Sequence, residues 1–281
     1  MERRKAQQFL RRFPGSVHVA VKTAKGSAPR EAGAFMLVSD AAIYKTIGGG
    51  QLEYMAIDRA RQMLRGGVRE AVMEIGLGPE IGQCCGGRVS LELTGIDEAL
   101  ALEIIAAEQS EFEALPHVHV FGAGHVGNAL CRALALLPVR TILVDARQAE
   151  LDAAPESVEK KLAAMPEALV AAAPPGSGFL VLTHDHALDF LILKEALART
   201  DAAYVGMIGS KSKRATFKSW FVREGGDENA LSRLVCPMGG SAVKDKRPEV
   251  IAALTAAEVM TALARGATAE AKGPNAVSAS H

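Results

Sequence analysis

Cys84 and Cys85 are adjacent, inside the glycine-rich run GLGPEIGQCCGG. Neighbouring cysteines rarely bridge, because a disulfide wants Cα atoms ~5.5–6 Å apart and consecutive residues sit at ~3.8 Å. Nor does the pair make a zinc site by itself, since zinc takes four ligands and the chain has no second cysteine pair of that kind. What remains is a reactive thiol or one that meets a soft metal, so Cys84 and Cys85 are also the candidate metal contacts. Gly82, Gly86 and Gly87 leave room for a ligand, and Arg88 would lower a thiol pKa. The competing reading is two inert core thiols. Cys131, inside NALCRALALL, reads as a small core residue, and Cys236 opens the turn CPMGG.

A second constellation is Gly122-Ala-Gly124-His125-Val-Gly127, between an apolar strand and a helix. Such glycines permit a tight turn, close approach of backbone to a phosphate, and close helix–strand packing. The helix start offers unpaired N–H groups to an anion. Asp145 ends the following strand, where a ribose-binding acid belongs, although it also reads as a cap or a solvated loop acid. The motif points to the fold more firmly than to the ligand, because such folds lose or change their nucleotide.

Four weaker signals accompany it. GSAPREAG presents Ser27 and Arg30 around Pro29, an anion-binding turn. Gly48, Gly49 and Gly50 precede Gln51 and Glu53 as an anion cradle or a helix cap. His184, His186 and Asp189 could pass for a metal set, but Asp185 and His186 read better as helix-start residues. A polar ligand contact at the crevice is the preferred reading there. Finally, GMIGSKSKR gathers Lys211, Lys213 and Arg214 at a strand-to-helix turn suited to phosphate, or a solvated basic face.

The elements that must carry these residues fall into two groups. Residues 2–13 read as a helix, 17–22, 34–39 and 42–47 as strands, 51–65 as a helix, REAVMEI and RVSLEL as strands, and 97–110 as a helix. From HVHVF onward, strands and helices alternate, which implies a parallel, doubly wound sheet. The expected fold is α/β: a Rossmann-like doubly wound sheet at 116–266 behind an α+β domain at 1–115, with a flexible tail at 267–281. The 281 residues suit two domains. Lys+Arg and Asp+Glu are 32 each, so no basic excess points to nucleic acid. Hydrophobic residues make up 49%, against disorder, while aromatics are only 5%, so the core must be aliphatic. No signal peptide or run of about 18 apolar residues is present, so the expectation is a cytoplasmic protein without a membrane partner.

In order, GSAPREAGAFMLV, GGGQLE, GQCCGGRVSLEL, VFGAGHVGNAL, LVDAR, LTHDHALD, YVGMIGSKSKRATF, PMGG and RPEVIAALTAAEV resemble the XdhC/CoxI family. These are accessory proteins of xanthine dehydrogenase and related molybdenum hydroxylases. The resemblance implies a maturation factor, more chaperone than enzyme. It would bind molybdenum cofactor as cargo, support its sulfuration with a cysteine desulfurase, and assist insertion into apo-xanthine dehydrogenase. Carried over, it places Cys84 and Cys85 near the molybdenum or its sulfur, since a soft thiolate suits a sulfur-rich metal centre. Gly122, Gly124, His125 and Gly127 would form a crevice wall, and Lys211, Lys213 and Arg214 would meet the cofactor phosphate. The double cysteine and TIGGGQLE favour the XdhC branch. The alternative is an NAD(P)-dependent oxidoreductase using the same Rossmann crevice. The largely aliphatic faces are also compatible with a homodimer.

Overall fold

The computed structural model describes residues 5–26, 30–78 and 86–271, with the side chains of 267–271 left aside. The chain divides into two compact units, Glu2–Glu113 and Ala114–His281.

The N-terminal unit contains α1 (Lys5–Arg12), β1 (Val17–Lys25), β2 (Phe35–Val38), β3 (Ile43–Lys45), α2 (Gly50–Gly66), β4 (Glu70–Gly76), β5 (Arg88–Gly95) and α3 (Glu98–Glu113). Its five strands form an antiparallel sheet in the order β3-β2-β1-β5-β4. Alternation along β1 sends Val17, Val19 and Val21 to one face. There they meet Leu52, Ala56, Ala60 and Met63, the buried stripe of α2. On the opposite face Leu37 packs with Ala6 and Leu10 of α1 and Ile104 of α3. Gly67, in the left-handed region at φ 65°, ends α2 by donating its N–H to the Met63 carbonyl.

The C-terminal unit contains β6 (His117–Phe121), α4 (His125–Leu134), β7 (Arg140–Asp145), α5 (Gln148–Asp152), β8 (Glu159–Leu162), α6 (Ala168–Ala171), β9 (Gly178–Val181), α7 (His186–Ala198), β10 (Tyr204–Met207), α8 (Lys211–Arg223), a short 3-10 turn (Glu228–Arg233), β11 (Leu234–Val235) and α9 (Pro248–Ala271). All six strands are parallel, in the order β11-β10-β9-β6-β7-β8. Numbered from β6, this is the 3-2-1-4-5-6 order of the dinucleotide-binding fold, reversing between β6 and β9. β9 and β10 are buried along their whole length, as strands covered on both faces must be. Leu130 and Leu134 of α4 and Ala252, Ala256 and Val259 of α9 cover one face. Phe190 and Leu193 of α7 and Phe217 and Phe221 of α8 cover the other. The fold class is the one expected from the sequence.

Three details depart from the sequence reading. β8, with the sequence EKKL, has no apolar run, and β11 is only two residues long. α9 continues through Ala271, so the segment expected to be a loose tail from 267 begins as helix. No described helix is long and apolar enough to cross a membrane.

Candidate functional site

The crevice at the C-terminal ends of β6, β7 and β9 is built on two glycines. Gly122 leaves β6 at φ 117°, and a Cβ there would lie 2.4 Å from the Leu182 carbonyl oxygen beyond β9. A Cβ on Gly127 would lie 1.9 Å from the Gly122 carbonyl oxygen. Both positions are closed to any side chain, so the loop can lie on β9 and the first turn of α4 on the loop. Gly124 is different. It caps α4 in extended conformation, and a Cβ on it would meet nothing within 4 Å. Of the three glycines it is the one that faces open space, the position at which a phosphate approaches backbone in this fold. His125 follows it, exposed, as the first residue of α4.

Asp145 reaches this loop from the end of β7. Its carboxylate accepts the Ala123 N–H at 2.8 Å and three donors of Arg147, the backbone N–H and the Nε and Nη2 groups, each at 3.0 Å. Burial pushes this carboxyl up, but the Arg147 side chain and the two backbone N–H donors outweigh it and hold it below the usual carboxylate range. These four donors occupy both oxygens. Arg147 also reaches Glu150 at 3.2 Å. The role of Arg147 escapes sequence reading, although the spacing Asp-x-Arg after an apolar strand is its signal.

Across the crevice, Asp189 is fully buried. It accepts the Thr183 N–H at 2.9 Å, the Thr183 hydroxyl at 2.7 Å and the Lys213 ammonium at 2.6 Å. The Lys213 ammonium also donates to the Ile208 carbonyl at 3.2 Å. Lys213, expected at a cofactor phosphate, is therefore engaged inside the wall, tying the turn after β9 to the turn after β10. Lys211 and Arg214 remain exposed, and Arg214 donates to the Cys236 carbonyl at 3.3 Å. Asp185 caps α7 by accepting the Ala187 N–H, which leaves His184 and His186 in solvent. No group of three His, Cys, Asp or Glu suited to a metal occurs among the described residues. Between Phe121, Val144, Asp145 and Thr183 the crevice encloses about 10 Å³, room for about one water. Cys131 lies in the core, where burial pushes its thiol up to about 12, and burial raises Cys236 as well.

The thiol pair Cys84 and Cys85, with Ser27 and Pro29, lies outside the described residues, but the segments that anchor those runs are defined. Pairing of Lys25 with Arg88, Gly76 with Arg88, Ala20 with Phe35 and Met36 with Lys45 puts the β1–β2 loop, the β4–β5 connection and the turn into α2 at one end of the N-terminal sheet. Leu77 and Gly86–Gly87 close the base of the β4–β5 connection with N–H···O bonds of 2.8 and 2.7 Å. Gly26, at φ 75°, presses on Gly87, where a Cβ would come within 3.2 Å of the Gly87 Cα. Exposed Arg30 lies in the β1–β2 loop, at that same end of the sheet. The glycine cradle before α2 is filled by the protein's own carboxylate. Glu53 accepts the Thr46 hydroxyl and the N–H groups of Ile47 at 3.2 Å and Gly49 at 3.1 Å. This turn is thus a helix cap rather than an anion site.

A dinucleotide-type Rossmann unit joined to an antiparallel α+β unit defines the class. Residues 118–259 match the XdhC Rossmann domain, just over half of the chain, and residues 15–76 match the XdhC and CoxI family. The chain belongs to the XdhC/CoxI family, the one its motifs resemble. It is similar to YqeB of Escherichia coli (strain K12), 25% identical over 243 residues. That match covers 84% of this chain and 41% of YqeB, so the chain spans about two fifths of that relative's length. It shares its fold with a xanthine dehydrogenase from Bacillus halodurans, at TM-score 0.74 and 17% identity, covering 99% of this chain and 98% of that one.

Proposed function

We propose that the protein is an accessory factor of xanthine dehydrogenase. In this reading it holds molybdenum cofactor as cargo, keeps it in place while a cysteine desulfurase supplies sulfur, and passes it to the apo-enzyme. The observation that carries the reading is the family match in both units of the chain. The thiol-bearing connection adds to it. The described base of that connection and the loop that carries Arg30 lie at one end of the N-terminal sheet. Thiolates suit a sulfur-rich molybdenum centre, and an arginine suits a phosphate. In the Rossmann unit, open Gly124, His125 and the exposed Lys211 and Arg214 are the groups left to meet an anion.

The NAD(P)-dependent alternative has less support. A ribose placed at Asp145 would have to displace Arg147, because both carboxylate oxygens are already satisfied. The proposal is tested by activating cofactor-free xanthine dehydrogenase with cofactor, desulfurase and this protein. Wild type should raise the yield of active enzyme, and Cys84→Ala/Cys85→Ala should not. Equal activation with the double variant would refute the thiol role.

A further inference from the structure

A groove of about 700 Å³ lies in the C-terminal unit between α9 and the β10–β11 edge of the parallel sheet. It shares no lining residue with the crevice at β6 and β9. α9 has two working faces. Ala252, Ala256, Val259 and Leu263 are buried in the core. Leu254, Ala257, Glu258, Thr261, Ala262 and Arg265 recur at spacings of three and four residues and line the groove. The middle of this second face is small and open: Ala257 and Thr261 are exposed and Ala262 is half-buried. Side chains of that size let another helix come close, at the short end of the usual 8–10 Å between axes.

The same face carries two opposite charges that do not meet. Oε2 of Glu258 accepts the Tyr204 hydroxyl at 2.8 Å and the Gly239 N–H at 2.9 Å, which fixes the carboxylate. Oε1 accepts nothing among the described residues. Gly240 lies beside it, where an added Cβ would stand 3.5 Å away. Arg265 is exposed and makes no hydrogen bond or ion pair among the described residues. It sits two turns beyond Glu258, ~10 Å along the axis. Side chains of one helix pair at three or four residues, not at seven.

A second copy of the chain satisfies both groups at once. Glu258 and Arg265 are equidistant from the midpoint between Thr261 and Ala262. A two-fold axis through that midpoint lays a second α9 antiparallel along the first. It sets each Arg265 against the Glu258 of the other chain, the reciprocal pairing that a two-fold interface requires. A parallel arrangement would instead oppose like charges. We propose that the groove face of α9 is a self-association surface, on which two chains pack their α9 helices antiparallel and exchange two Glu258–Arg265 ion pairs. The surface is independent of the thiol loop and of the cargo assigned above.

The test is sedimentation equilibrium of the full chain over a range of concentrations. Wild type should form a dimer. Arg265→Glu should weaken it roughly a hundredfold, about tenfold for each of two charge-assisted contacts. Ala257→Trp should weaken it as well, by filling the space a second helix needs. Both residues are exposed, so both variants should fold. Glu258→Lys should also be monomeric, and mixing it with Arg265→Glu should restore a dimer, because only the mixed pair sets opposite charges against each other at both contacts. A wild type that stays monomeric at every concentration overturns the proposal and leaves the groove to another molecule. A dimer that neither Arg265→Glu nor Ala257→Trp weakens also overturns it, because the chains would then meet through a different face.

Discussion

A methyl group placed on Gly127 would sit 1.9 Å from the Gly122 carbonyl oxygen, whereas one on Gly124 would meet nothing within 4 Å. The first contact is with backbone, which cannot swing aside. Gly127→Ala should cost about 3 kcal/mol or more, and Gly124→Ala less than about 1 kcal/mol. Urea denaturation of both variants checks this, and equal losses would contradict it. The buried Asp189–Lys213 pair makes a second residue-scale prediction. Removing one partner strands the other in a site where the Lys213 side chain is 11% exposed and that of Asp189 is 0%. Asp189→Asn and Lys213→Met should therefore be coupled by about 2 kcal/mol or more in a double-mutant cycle. Additive losses would mean that the pair does not hold the two turns together.

At the scale of elements, β6 carries an unusual core residue. His119 is buried between Phe121 and Phe179, with ring centroids 6.2 and 5.6 Å away, and its Nδ1 has no hydrogen-bond partner among the described residues. Burial, helped by the nearby His117 and Lys161, pushes its pKa down to about 4. The folded state thus refuses a proton that the unfolded state accepts below pH ~6.5. Stability from this group is intact above pH ~6.5 and falls by about 1 kcal/mol per pH unit as pH drops toward 4. His119→Phe should flatten the slope between pH 6.5 and 4, measured by denaturation at each pH. An unchanged slope would place the proton elsewhere. The same strand shows what can be read from sequence. HVHVF is apolar enough to announce a strand, and GAGHVG announces the turn after it, because strand period and glycine punctuation are local properties. β8 is hidden because its charged side chains are satisfied by tertiary partners, such as Arg140 on Glu159 at 2.7 Å. β11 is too short for any period to show. Asp145 was readable as a residue of interest, but Arg147 closing on it was not, since nothing local requires the two side chains to meet. Lys213 looked like a free cation because its partner Asp189 is remote in sequence. The filling of the glycine cradle by Glu53 likewise depends on where α2 begins.

At the scale of the whole molecule, two units of different construction bring different chemistry. The C-terminal unit supplies a glycine turn with one open position, Gly124, and exposed cations on a parallel sheet edge. The N-terminal unit gathers the Arg30 loop and the base of the Cys84–Cys85 connection at one end of an antiparallel sheet. The balance of 32 basic and 32 acidic side chains conceals these placements, because many of the charges are paired within the fold. The proposed function rests on the protein holding the cofactor through its adjacent thiols. The most direct measurement is the amount of molybdenum and of pterin retained per chain after the protein is mixed with released cofactor and re-isolated. Wild type should retain both at close to one equivalent, and Cys84→Ala/Cys85→Ala should lose most of each while unfolding at the wild-type urea concentration. Retention of neither by wild type, or equal retention by the double variant, would contradict the account.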